Sequence, residues 1–123
     1  MADEAFSKYR VAVASSDGKN VDRHYGKADT FYIYAVDDEE GYDLVETRNV
    51  VPVCMNGSHF KSVMDESVTR FADCKYLAAS RIGSGASQSL AAAGIVCMEL
   101  PGTVDDAILK IWRYNRVQGL FRI

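Results

Sequence analysis

Three side chains in this sequence have the chemistry of transition-metal ligands. His24 lies in the segment Asp22-Arg23-His24-Tyr25, and Cys54 and His59 share one short glycine-containing loop. Neutral imidazole nitrogens and thiolate sulfur bind iron and similar metals, so these three residues are the predicted metal ligands. The structural alternatives are surface histidines that hydrogen-bond to carbonyl groups, and a half-buried, inert thiol at Cys54.

A glycine-rich segment could hold an anionic group. Residues 83–85 (GSG) follow a predicted strand and open a predicted helix, where free backbone amides bind anions. Arg23, Lys27 and Arg81 supply positive charge nearby. The segment lacks the lysine of a phosphate loop and the full dinucleotide fingerprint, so a tight turn that merely needs glycine is the alternative.

The other reactive residue types indicate packing or solvated turns. Cys74 and Cys97 lie in apolar surroundings, and three cysteines without a close pair fit a reducing compartment. Asp17 stands alone after the first predicted strand, and the acidic run 37–40 falls at the opposite edge of the predicted sheet. Neither arrangement matches a two-magnesium nuclease centre, and no serine has a histidine-carboxylate relay. We therefore expect that the chain is not an enzyme.

The elements that must position these residues follow from periodicity. The apolar run 11–14, the aromatic run 30–36 and the alternating run 42–51 predict three strands, with an acidic hairpin turn between the second and third. Two more strands are predicted at 75–80 and 95–100. A stripe formed by Phe60, Val63, Met64, Val68, Phe71 and Ala72 predicts a first helix. A short second helix is expected to end before Gly94. A final helix follows a Thr103 cap, and its apolar stripe is formed by Val104, Ala107, Ile108, Ile111 and Trp112.

The order βββαβαβα predicts an α/β domain with a ribonuclease-H-like fold. The expected sheet is five-stranded and mixed, with a three-stranded antiparallel meander followed by two parallel strands and about three helices. In that topology only the second strand runs opposite to the others. One edge of the sheet should then collect residues 15–18, His24, the loop 54–59, residues 83–86 and the vicinity of Cys97.

Composition sets the class of protein. With 123 residues, 48% apolar and 25% charged, the chain is expected to form one globular domain, residues 1–123, with a core at about 10–111. A net charge of -3 and a pI near 5.3 argue against a nucleic-acid partner. The absence of a signal peptide or a long apolar run predicts a cytoplasmic protein without a membrane partner.

Several motifs together resemble the nitrogenase iron-molybdenum cofactor biosynthesis domain family, found in NifX, NafY and the C-terminal part of NifB. They include the opening VAVASSDGKNVDRHYGKADTFYIYAV, with its SSDG turn and its histidine-aromatic-glycine triplet at residues 24–26. RNVVPVC, RIGSGA and LAAAGI continue the match, which covers about residues 10–111.

That resemblance implies a ribonuclease-H-like carrier that holds the iron-molybdenum cofactor, or its iron-sulfur precursor cluster, as cargo. Its implied partners are nitrogenase cofactor assembly proteins and apo-dinitrogenase, with the carrier a monomer or weak dimer. His24 matches the histidine that contacts the cluster in the family, with Cys54 and His59 as the further metal ligands. The predicted non-metal contacts to the cargo are Ser15, Ser16, Asp17, Arg23, Gly83, Ser84 and Gly85.

Two other functions remain open from the residues themselves. The glycine segment alone would suit a small-molecule or phosphate-binding regulatory module without metal cargo. A scaffold protein that binds another assembly factor is the third possibility, with the C-terminal GLFRI as its exposed patch.

Overall fold

Five strands form one mixed sheet in the computed structural model, which describes residues 8–37, 41–50 and 66–120. Two further strands, each two residues long, pair with one another in a separate small sheet. In chain order the strands are β1 Tyr9–Ala14, β2 Asn20–Val21, β3 Thr30–Val36, β4 Tyr42–Asn49, β5 Tyr76–Ala79, β6 Val96–Glu99 and β7 Gly102–Thr103. The helices are α1 at residues 66–69, α2 Ser84–Ala92 and α3 Val104–Leu120, with a short 3-10 helix at Tyr25–Lys27.

The strand order of the main sheet is β4-β3-β1-β5-β6. Strand β3 is antiparallel to β1 and β4, whereas β5 is parallel to β1 and β6. The predicted antiparallel meander followed by two parallel strands is therefore confirmed, as is the opposite direction of the second predicted strand. The ribonuclease-H-like assignment stays a prediction.

The central strand β1 is apolar on both faces, because each face is covered. Val11 and Val13 pack in one buried cluster with Ile108 and Ile111 of α3. The alternate residues Ala12 and Ala14 pack in a second cluster on the other face of the sheet, together with Phe31, Phe71, Leu77 and Leu90. This alternation is the period of two expected of a strand, and it places one hydrophobic layer on each side of the sheet.

The final helix matches its predicted stripe and cap. The stripe residues Val104, Ala107, Ile108 and Ile111 are buried, and Trp112 packs partly against them. The Asp106 amide donates to the Thr103 hydroxyl at 3.1 Å, which satisfies one of the free amides at the helix start. In the described residues, none of the helices is both long and apolar enough to span a bilayer.

The first predicted helix differs from the structure at its end. Helical residues stop at 69, and the chain continues in turns in which the Phe71 amide donates to the Val68 carbonyl. Val68 and Phe71 are buried as predicted, but Ala72 is exposed, so its place in the apolar stripe was wrong. The turn breaks the helical period before residue 72. Phe60, Val63 and Met64 lie outside the described residues.

A small second sheet was not predicted. Asn20 pairs with Thr103 and Val21 with Gly102, and the Val104 amide donates to the Lys19 carbonyl at 2.9 Å. These contacts tie the loop after β1 to the start of α3. Strands of two residues are too short to show a hydrophobic period, so this sheet carries no recognisable sequence pattern.

A bidentate ion pair joins the edge strand β4 to the segment before β5. The Arg48 guanidinium donates to both carboxylate oxygens of Asp73, at 2.9 and 2.6 Å, and to the Arg70 carbonyl at 2.6 Å. Glu46 also contacts Arg48. The hydrogen bond from Arg48 lowers the pKa of Asp73 from 3.8 to about 2. The ion pair therefore stabilises the folded protein at pH values above the ordinary pKa of a carboxyl group.

We expect Asp73→Asn to lower the free energy of unfolding at neutral pH by about 0.5–1 kcal/mol, because Asp73 is half-exposed and solvent screens the pair. Since the folded pKa lies below the unfolded one, wild type should lose this stabilisation as pH falls from about 4 to about 2, and the variant should not. Urea unfolding at several pH values measures both the free energy of unfolding at neutral pH and its loss at acid pH. Asp43→Asn, on the exposed part of β4, is the control. Equal acid sensitivity of Asp73→Asn and wild type would contradict this role.

Candidate functional site

The ends of four strands meet at one edge of the main sheet. The pairing directions place the carboxyl ends of β1, β4, β5 and β6 at this edge, together with the amino end of β3. The polar turn after β1, the segment around His24 and the loop into α2 all lie here. The structure thus brings together three of the segments that topology assigned to this edge.

His24 is held at the end of β5 by the backbone on either side of it. The Ser80 amide donates to the Arg23 carbonyl and the Tyr25 amide donates to the Arg81 carbonyl, both at 2.9 Å. His24 forms a parallel bridge with Arg81. Its own backbone is extended, with φ -74° and ψ 142°, and its side chain is exposed. An isolated bridge at the end of β5 therefore carries an exposed histidine.

Ser15, Ser16 and Asp17, which were predicted to contact the cargo, form hydrogen bonds to other residues of the turn after β1. The buried Ser15 hydroxyl accepts from the Gly18 amide at 2.8 Å. Hydrogen bonds from the backbone amides of Lys19 and Asn20 hold the pKa of Asp17 below its usual value. These three side chains build the turn, and their contact with a cargo stays a prediction.

The turn is linked directly to the histidine segment through Asp22. Ser16 donates its amide and its hydroxyl to the two carboxylate oxygens of Asp22, at 2.9 and 2.6 Å. Gly18 has φ +76°, and a Cβ atom there would lie 2.9 Å from the Tyr32 ring, so this position requires glycine. The turn is therefore fixed on both sides before the chain reaches His24.

The amino end of α2 presents free backbone amides at the same edge. Gly83 caps the helix without a side-chain hydrogen bond, and the first turn contains no acidic residue. Gly83, Ser84 and Gly85 are all exposed. Gly83 has φ -65°, and a Cβ atom would meet nothing within 4 Å, so the backbone turn does not require glycine at this position. The alternative of a turn that merely needs glycine is therefore wrong for Gly83.

Exposed charged residues lie next to His24 along the chain and across the bridge. Arg81 is the bridge partner of His24, Arg23 directly precedes His24, and both arginines are exposed. The nearby Glu99 carboxylate accepts from the Ile82 amide at 2.8 Å, which fixes the loop between β5 and α2. Sequence patterns gave no reason to single out Glu99, since it looked like a strand residue. The start of α2 and the two arginines supply positive charge at this edge, whereas the carboxylates of Asp22 and Glu99 accept hydrogen bonds from backbone amides there.

The two cysteines of the described residues, Cys74 and Cys97, are buried and half-buried. Burial raises the pKa of the Cys74 thiol to about 12, so Cys74 is an unreactive packing residue, as predicted. The half-buried Cys97 thiol donates weakly to the Ser87 hydroxyl at 3.6 Å. Cys54 and His59 lie outside the described residues. Within residues 8–37, 41–50 and 66–120, no three His, Cys, Asp or Glu side chains gather as a metal site.

The sequence matches a family model described as "Dinitrogenase iron-molybdenum cofactor" over residues 7–114. It is 33% identical to the FeMo cofactor biosynthesis protein NifB of Frankia alni, over 82% of this chain and 20% of that protein. NifB of Klebsiella pneumoniae is 32% identical over 92% of this chain and 25% of that protein. The chain thus spans a quarter or less of the length of these two relatives.

The fold also resembles solved structures. The apo form of the orange protein from Desulfovibrio gigas superposes with a TM-score of 0.56, over 85% of this chain and 88% of that one. The two sequences are 23% identical, so this likeness concerns the fold alone.

We expect Glu99→Ala to loosen the loop ahead of α2, because the Ile82 amide loses its carboxylate acceptor. Amide hydrogen exchange at residue 82, measured by NMR, should accelerate about fivefold, which corresponds to about 1 kcal/mol. Glu99→Gln keeps an acceptor oxygen and should exchange at nearly the wild-type rate. Identical exchange in all three proteins would show that Glu99 does not hold this loop.

Proposed function

Because the chain belongs to the dinitrogenase iron-molybdenum cofactor family, we propose that it binds a preassembled metal-sulfur cluster and passes it on. The cargo is the iron-molybdenum cofactor or its iron-sulfur precursor. The chain acts as a carrier between cofactor assembly proteins and apo-dinitrogenase, and it catalyses no reaction itself. In this proposal residues 1–123 are one carrier domain of the ribonuclease-H-like class.

The observation that carries the proposal is the placement of His24. Its imidazole is exposed at the strand edge, while the residues on either side are hydrogen-bonded to the end of β5. A ligand on a fixed backbone needs little ordering when a cluster arrives from solvent. Imidazole is also a good ligand for iron, so the position and the chemistry support the same role.

The surrounding charges support an anionic cargo. Sulfide-rich clusters carry negative charge, and two exposed arginines are next to the histidine, Arg81 across the bridge and Arg23 along the chain. The amides at Gly83, Ser84 and Gly85 add the partial positive charge of a helix start. In the proposal these groups orient the cluster, and the imidazole binds a metal atom.

Sparse ligation suits a carrier because the cargo must leave again. Four thiolate ligands would hold a cluster as a permanent part of the fold, whereas one or two exchangeable ligands permit release to a recipient. Cys54 and His59 are the proposed additional ligands. A soft thiolate at Cys54 would strengthen the grip on an iron site relative to His24 alone.

We expect His24→Ala to weaken binding of the isolated iron-molybdenum cofactor at least about tenfold, because loss of even a residue that only supports a metal ligand typically costs that much affinity. The protein is titrated anaerobically, and cluster bound per chain is measured after gel filtration by iron and molybdenum analysis. Wild type should carry about one cluster per chain.

Lys110→Ala provides the matched control, since Lys110 is an exposed cation on α3, on the other face of the sheet. It should bind the cofactor like wild type. Equal binding by His24→Ala and Lys110→Ala would remove His24 from the proposed site, and wild type eluting without metal would refute the carrier function.

A phosphate-binding module is the second candidate function, favoured by the uncapped, acid-free start of α2 beside Arg81. Calorimetric titration with inorganic phosphate and with ATP distinguishes it. Saturable heat that disappears in Arg81→Ala but persists in His24→Ala would favour that module over the metal carrier.

A further inference from the structure

A buried hydrogen bond joins the residue after His24 to a helix far along the chain. The Tyr25 hydroxyl lies 2.7 Å from the Ser67 hydroxyl in α1, across a separation of 42 residues. Tyr25 is 1% exposed and Ser67 is 7% exposed. Burial raises the pKa of Tyr25, so both groups stay neutral and each satisfies the other in an apolar interior.

The Tyr25 ring is packed on two aromatic neighbours. Its centroid lies 5.8 Å from that of Phe31 and 6.3 Å from that of Phe71. Such contacts hold the ring in the core in tilted or edge-on arrangements, but they define its position less narrowly than a hydrogen bond does. A short hydrogen bond from the end of the ring removes that freedom, because it requires a set distance and angle.

Tyr25 is therefore fixed at both ends. Its amide donates to the Arg81 carbonyl at the edge of the sheet, and its hydroxyl bonds to Ser67 in the core. The Tyr25 side chain is buried in the core, whereas the neighbouring His24 is exposed, so the two side chains point in different directions. Holding Tyr25 inward thus directs His24 outward.

A phenylalanine at 25 together with an alanine at 67 would fill this region without burying either hydroxyl. The hydroxyl pair adds little net stability compared with such an apolar filling, since its hydrogen bond replaces bonds to water. What the pair adds is a fixed direction. A fixed orientation of Tyr25 also fixes the backbone that carries the exposed His24 imidazole, whereas packing of the core depends only on the Tyr25 ring.

We propose that Tyr25 and Ser67 are positioning residues that fix the orientation of His24 for metal binding. The metal part of this inference rests on the proposed function, whereas the structural coupling between Ser67 and the His24 segment does not. Tyr25 and Ser67 do not touch the cargo, and they act through the backbone of the histidine.

The test compares Tyr25→Phe, Ser67→Ala and the double variant with Tyr76→Phe. Tyr76 is the matched control because it is also 1% exposed and its hydroxyl donates to Asn115 at 2.7 Å, in the other hydrophobic layer. Urea unfolding measures the stability of each variant. Anaerobic titration with the isolated iron-molybdenum cofactor measures affinity well below the unfolding transition.

Positioning predicts that Tyr25→Phe and Ser67→Ala each weaken cofactor affinity about fivefold, the factor equivalent to about 1 kcal/mol. The double variant should be no weaker than either single variant, because both changes break the same hydrogen bond. Tyr76→Phe should lose similar stability and keep wild-type affinity. Loss of affinity in Tyr76→Phe as large as in the other variants, or wild-type affinity in both single variants, would overturn the proposal.

A measurement without metal separates this inference from the carrier function. Amide exchange at residue 25, followed by NMR, reports the hydrogen bond to Arg81 directly. It should accelerate in Tyr25→Phe and Ser67→Ala beyond any change in Tyr76→Phe. If wild type binds no cluster yet this pattern holds, the carrier function fails and the coupling stands; if the exchange rates match those of Tyr76→Phe, the coupling itself is refuted.

Discussion

The arrangement of the site depends on two backbone hydrogen bonds that attach the His24 segment to the end of β5. They join the Ser80 amide to the Arg23 carbonyl and the Tyr25 amide to the Arg81 carbonyl. They can form because β1 and β5 are adjacent and parallel, so the chain leaving each strand emerges at the same edge. The loop after β1 then folds back across this edge and adds a short parallel bridge to it. Without those bonds an exposed histidine in a surface loop would have no defined place relative to Arg81 or α2.

The same constraint explains why the turn after β1 is so heavily hydrogen-bonded. The chain leaves β1 at Ala14 and pairs again at His24, parallel to the residues that follow β5, so the residues between them must hold one conformation largely outside the main sheet. Ser15 and Asp17 bond to backbone amides of the turn, and Asp22 receives both donors of Ser16. These polar side chains replace the backbone bonds that regular structure would supply. Their first role is thus local, which is to deliver His24 to the edge in one conformation.

The strands of the main sheet and their directions could be predicted from the sequence. The long-range contacts that position the site residues could not. The strands from 11–14 and 30–36 were recognisable because apolar and aromatic runs fill a buried, central position, and the order of elements then determined which ends meet. The β2–β7 sheet is too short to show a period. The Glu99 contact with Ile82 and the Tyr25 contact with Ser67 join residues that are 17 and 42 positions apart. No local pattern encodes such pairs, so they became visible only in three dimensions. The prediction that Ala72 belongs to the apolar stripe was wrong for a related reason, because a turn at residues 70–73 interrupts the helical spacing.

The central claim is that the His24 imidazole binds a metal atom of the cargo. The most direct measurement is electron-nuclear double resonance on the cofactor-loaded protein, prepared with ¹⁵N-labelled histidine and studied in a paramagnetic state of the cluster. Because His59 is a proposed additional ligand, both proteins compared carry His59→Gln, so that His24 is the one labelled histidine that differs. We expect a ¹⁵N coupling in His59→Gln that is lost in the double variant His24→Gln, His59→Gln, even when enough cofactor is added to load it. A loaded His59→Gln protein with no histidine coupling, or the same coupling in the double variant, would show that the His24 imidazole does not bind a metal atom of the cargo.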